Sequence, residues 1–169
     1  MDLALATFHI AILAIAAAIF AAAAISDACS YRIPNYMCAL LLLLFPVFVE
    51  TAPRGIDWQQ NLGVFGLVAI SGFAMFLGHL AGAGDIKLLS VASLWAGPHL
   101  IAVLLVVTAI AGGLVSIAMA ILTYTRQRRA HTGASTADFA KIPIPYGIAI
   151  AAGGLTTLGM IARSILLPG

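Results

Sequence analysis

The sequence predicts an all-α protein that crosses a membrane several times. Three observations predict it: 63% of the 169 residues are hydrophobic, only 8% are charged, and the mean hydropathy is +1.11. A soluble domain is about 45–50% apolar and about 25% charged, so this chain lacks the polar groups that cover a soluble surface. The same composition excludes a disordered chain. A net charge of +2, with most basic residues in short gaps between apolar runs, argues against a nucleic-acid binder. Long Ala-rich apolar runs satisfy their backbone groups in lipid only as helices, which sets strands aside.

A helical span takes about 20 apolar residues to cross about 30 Å of hydrocarbon. Six candidates follow in order: Leu3–Ile25, Tyr36–Val49, Asn61–His79, Ile86–Trp95, Leu100–Tyr124 and Ile144–Leu166. The first ends in Ala21–Ala24, which resembles a signal-cleavage site. However, Asp2 precedes it without any Lys or Arg, and the run is too long for a signal core, so a retained span is expected. The second and fourth candidates reach only about 21 Å and about 15 Å. Each must borrow flanking residues, and each follows a gap containing an aspartate, Asp27 or Asp85. Borrowing draws both aspartates toward membrane depth, facing the bundle. After the fifth span comes the one long polar segment, Thr125–Lys141, read as a flexible loop. Its Arg-rich start is a topology signal, the alternative being a contact with acidic headgroups or a partner.

The basic residues set the orientation. Arg32, Lys87, Arg126, Arg128, Arg129 and Lys141 follow the odd-numbered spans, against Arg54 and Arg163 on the other side. Both aspartate gaps are therefore expected in the cytoplasm and both termini outside. No repeat stands out, and the whole chain, residues 1–169, reads as one integral-membrane domain without an appended soluble one.

The two gaps carry the chemistry. The first reads Ser26-Asp27-Ala28-Cys29-Ser30-Tyr31-Arg32-Ile33-Pro34-Asn35, and the second reads Gly78-His79-Leu80-Ala81-Gly82-Ala83-Gly84-Asp85-Ile86-Lys87. Ionisable groups at membrane depth are costly and are functional candidates by default. If the two aspartates face each other, repulsion and desolvation keep one carboxyl protonated while its partner remains a base. That is what an aspartic protease dyad requires, with the base activating water and the acid polarising the scissile carbonyl. Gly82 and Gly84 are expected to allow positive φ and close approach beside Asp85. The plainer alternative makes Asp85 a helix cap and the glycines packing residues.

These residues resemble the type IV prepilin peptidase family, bacterial relatives of the intramembrane GxGD aspartic proteases. Gly82-Ala83-Gly84-Asp85 matches the GxGD motif, and Lys87 stands at the family's usual lysine position. Asp27 lies a few residues before Ile33-Pro34-Asn35, and Ile144-Pro145-Tyr146-Gly147 opens the last span, as in the family. The resemblance implies that Asp27 and Asp85 are the catalytic pair. It implies a prepilin or pseudopilin substrate, with its leader in the cytoplasm and its apolar helix in the bilayer of the bacterial inner membrane. Membrane lipids and the pilus-assembly machinery are the other partners it suggests. The paired CxxC segment of larger members is not seen, so the chain looks like the compact peptidase-only branch (TadV/CpaA-like) serving Flp-type pili. Methyltransferase activity is not expected.

Other residues carry less. At Asp85+2, Lys87 should point away from that carboxylate, as a headgroup anchor or else as a group that tunes the dyad or touches substrate. Pro34 suits the first turn of the second span, and Asn35 could brace the loop near Asp27. His79 is the sole histidine near an aspartate gap, while His9 and His99 fall near the opposite side. With no metal-pair spacing, neither a metal nor a cofactor is expected, and a Cys29–His79 nucleophile pair is disfavoured. Cys29 and Cys38 read as small fillers. Asp57, Glu50, Arg54 and Trp58 read as a solvated turn. The rival class is a small proton- or cation-coupled transporter using Asp27 and Asp85 as a relay. A presenilin-like enzyme and a pilus-assembly scaffold are more distant alternatives.

Overall fold

A computed structural model describes residues 3–52, 56–129 and 144–167 of the chain. Every regular element among them is an α-helix: α1 (Leu3–Ser30), α2 (Asn35–Thr51), α3 (Trp58–Leu77), α4 (Ala83–Arg129) and α5 (Tyr146–Leu166). Four are long and apolar enough to cross a membrane, and α2 is the shorter one. The protein is a polytopic membrane protein.

Of the two short candidate spans only the fourth takes up its aspartate gap. The second gains just Asn35 from the first gap, and the segment holding Asp27 is added to the first span instead. α1 continues to Ser30, so Asp27 lies on its last turn rather than in a loop. Nothing between Ile25 and Ser30 breaks a helix, and the polar side chains there find local partners: Ser30 Oγ donates to Ser26 O at 2.6 Å. Tyr31 ends the helix with φ of 52°, its N–H donating to Asp27 O at 2.9 Å, as a left-handed C-terminal residue does. The connection to α2 is thereby cut to residues 31–34. α4 likewise starts at Ala83, which puts Asp85 and Lys87 in its first turns.

The fourth and fifth candidate spans form one element interrupted at Gly97, whose φ of 57° and ψ of −170° are non-helical. Pro98 follows and has no N–H to give to Leu94 O, the acceptor four residues back. Asn61 of α3 fills the vacancy, its Nδ2 donating to Leu94 O at 2.9 Å. A Cβ on Gly97 would lie 2.6 Å from Asn61 Oδ1, so the backbone conformation and the space both require glycine. Past the break, residues 98–129 turn back along α5. Leu104 and Thr108 face Gly153, and Gly112 faces Tyr146 and Ala149. This limb extends to Arg129, so the start of the expected polar loop is helical. Residues 130–143, which include the rest of that loop, Arg54 of the expected turn and the two chain ends lie outside the described residues.

The core joins α1, α2, α4 and α5 through Phe20, Leu41, Leu88, Leu104 and Ile150. Trp95 sits against the rings of Phe45 and Phe48 and donates its indole N–H to Leu41 O at 3.2 Å. The pair Gly153-Gly154 lets α5 lie close to both neighbours. A Cβ on Gly154 would be 2.8 Å from the Phe20 ring, and one on Gly153 would be 2.8 Å from Leu104 O, the small-residue packing that membrane helices use. α3 is peripheral and rests on α4. Its one buried residue is Asn61. Asp57 caps it, accepting from Gln60 N and Nε2.

Candidate active site

The end of α1, the 31–34 connection, the start of α4 and Ile144 enclose a cleft of about 610 Å³. All seven residues singled out in the sequence line it: Asp27, Pro34, Asn35, Gly82, Gly84, Asp85 and Lys87. Fifty-odd residues and two helices separate the two aspartates in the chain, and the fold brings them into one opening.

Asp27 is buried, at 5% exposure. Its Oδ2 accepts the N–H of Gly147 at 2.7 Å. Gly147 is the second residue of α5, whose N-cap position is held by Pro145 without any capping side chain. A helix start leaves its first N–H groups without partners and carries partial positive charge. The Asp27 carboxylate supplies the missing acceptor from another helix. Gly147 must lack a side chain for this, because a Cβ there would stand 2.8 Å from Asp27 Oδ2 and 2.9 Å from Ile33 Cδ1.

Asp85 is half-buried on the first turn of α4. It is not the cap of that helix: the first bond runs from Ile86 N to Gly82 O at 3.2 Å, and Asp85 is the third helical residue. Among the described residues its carboxyl has no hydrogen-bond donor, and it shares the cleft with Asp27. Of the two parts expected of the glycines before it, positive φ and close approach, the first is absent. Neither Gly82 nor Gly84 has a positive φ. Gly82 does supply room, since a Cβ there would meet Asp85 Oδ2 at 2.8 Å, whereas one on Gly84 would make ordinary contact with Ile33 Cβ at 3.4 Å.

Lys87 reaches a partner rather than standing free at the headgroups. Its Nζ donates to Asn35 Oδ1 at 3.0 Å, joining the start of α4 to the start of α2. Pro34 is the N-cap residue of α2 and accepts from Met37 N at 3.1 Å, one position before the first turn where proline is commonest. The residue that sequence reasoning passed over is Ile33, which lies against both Gly84 of α4 and Gly147 of α5, and so sits between the segment that carries Asp85 and the one that donates to Asp27. Its signal was an apolar residue between Arg32 and Pro34 in an otherwise polar connection. His79 is exposed, with φ of 56°, and does not line the cleft. Cys29 is exposed, not a packed filler, whereas Cys38 is buried. No cluster of metal-ligating side chains occurs among the described residues.

The cleft is not at the end of the apolar structure. Gly112 is level with the start of α5, and α4 continues as an apolar helix to Tyr124, about 18 Å farther at about 1.5 Å per residue. The two carboxyls have unequal surroundings: one is held by a helix-start N–H, and the other has no donor. Such an asymmetric pair can place a base and an acid on opposite sides of one substrate group.

A model of the type IV leader peptidase family matches residues 12–117, a stretch that includes both aspartates but ends before Gly147. No curated protein and no solved structure matches the chain.

Proposed function

The chain belongs to the type IV leader peptidase family, and we propose that it acts as an aspartic endopeptidase with Asp27 and Asp85 as its dyad. As a member of that family it is a membrane-embedded hydrolase of peptide bonds. The observation that carries the dyad is the single cleft into which both carboxyls open. In the proposed reaction the ionised Asp27, held by the Gly147 N–H, takes a proton from water as that water attacks the scissile carbonyl. The protonated Asp85 donates to the carbonyl oxygen, and collapse of the tetrahedral species passes a proton to the leaving amine. The water ends up divided between the new carboxylate and the new amine, with no covalent intermediate.

The proposed substrate is a Flp-type prepilin or pseudopilin, cut where its polar leader meets its apolar helix. The whole chain would act as one inner-membrane domain of the compact branch, with the cleft on the cytoplasmic side. Six of the eight basic residues fall in the gaps on that side. The test is leader removal from a Flp-type prepilin in membranes carrying wild type, Asp27→Asn or Asp85→Asn at equal protein levels. Both variants should lose cleavage. Normal cleavage by either one would remove that aspartate from the mechanism, and an ion-relay role would then have to be measured directly.

A further inference from the structure

We propose that the apolar slot between α2 and α3 seats the membrane-spanning helix of the substrate, a proposal that rests on the peptidase reading above. α2 and α3 share no substantial interface. Each packs on α4, which forms the floor between them. The slot measures about 530 Å³, within the usual range of ligand sites. Phe65, Ala69, Phe73 and Phe76 line its α3 wall, and their spacing of four, four and three residues forms one helical stripe. That stripe is about 16 Å long at about 1.5 Å per residue, some three turns of an inserted helix.

Continuity with the cleft distinguishes the substrate from a lipid chain as occupant. Ala83 and Lys87 line both the slot and the cleft, so a chain lying in the slot reaches Asp85 without crossing the bundle. Lys87 is also the one charged residue lining the slot. The lining therefore changes from apolar to polar where slot and cleft meet. A substrate whose scissile bond lies between an apolar helix and a polar leader changes character at the same place. α3, with little of itself buried, leaves that face free to receive it.

The test is disulfide cross-linking in membranes, with Cys29 and Cys38 replaced by serine and Ala69→Cys introduced. The probe is a Flp-type prepilin carrying one cysteine in the first two turns of its apolar helix. A cross-link from Ala69→Cys, and none from Leu67→Cys on the outward side of α3 (69% exposed), is the expected result. No cross-link at Ala69→Cys, or a cross-link to a second copy of the enzyme, overturns the proposal. Ala69→Trp, which fills the slot, should slow cleavage at least tenfold while Leu67→Trp leaves it unchanged. Equal rates for the two overturn it as well. Cross-linking does not need turnover, so a bound but uncut prepilin would overturn the peptidase reading and leave the slot standing.

Discussion

The N–H of Gly147 and the carboxylate of Asp27 meet at 2.7 Å across 120 residues of chain, so the first helix supplies the acceptor that starts the last. Gly147→Ala would push a methyl group against both Asp27 Oδ2 and Ile33 Cδ1. Shifting α5 to relieve the clash lengthens the bond to Asp27. We expect prepilin cleavage to fall at least tenfold, about 1.4 kcal/mol of transition-state stabilisation, with the protein still accumulating in the membrane. Processing at the wild-type rate would mean that Asp27 does not depend on the α5 N–H.

Lys87 and Asn35 form a bond that ties the start of α4, which carries Asp85, to the start of α2 at the rim of the cleft. Both are exposed, so the bond contributes little to stability, at most about 1 kcal/mol. Its effect should appear in positioning. Lys87→Ala and Asn35→Ala are each expected to lower kcat several-fold with little change in melting temperature, and the double variant should be no slower than the worse single one. Asn35→Asp, which keeps an acceptor for the ammonium, should retain most of the activity. Strictly additive losses in the cycle would separate the two residues.

The candidate site's two carboxyls were legible in the sequence because charge is rare in this chain. Their setting was less legible. Hydropathy ended the first span at Ile25, because Ser26, Asp27 and Ser30 lower the average, yet a helix end accommodates such residues through local hydrogen bonds. The part played by Gly147 depends on a contact between the two ends of the chain, which no local pattern encodes. For Gly82 and Gly84 the sequence offered two reasons, space and positive φ, because both select glycine; only the first applies, and it applies at Gly82. The spans on either side of Gly97-Pro98 were recognised, while the repair of the freed carbonyl by Asn61 came from a third helix and left no local trace.

That repair gives a stability prediction. Gly97→Ala meets both an unfavourable backbone conformation and the Asn61 amide at 2.6 Å, and should destabilise the protein by about 2 kcal/mol or more. Asn61→Leu leaves Leu94 O buried without its donor and should cost about 1–3 kcal/mol. Melting temperatures in detergent measure both. An unchanged value for Asn61→Leu would show that another donor reaches the carbonyl.

His9 offers the opposite case. It is fully buried on α1, packs edge-on to Phe8 and Phe48 at ring distances of 6.4 and 6.0 Å, and neither ring nitrogen has a hydrogen-bond partner among the described residues. A buried donor and acceptor left unmade cost about 1–3 kcal/mol, whereas an apolar group of similar size would carry no such penalty. His9→Leu should therefore raise the melting temperature in detergent. It should not alter cleavage, because Asp27 lies eighteen residues along the same helix, about 27 Å away at about 1.5 Å per residue. A drop in stability would show that the imidazole has a partner in the membrane. A drop in cleavage at unchanged stability would couple this end of α1 to the cleft, contrary to the separation the fold gives them.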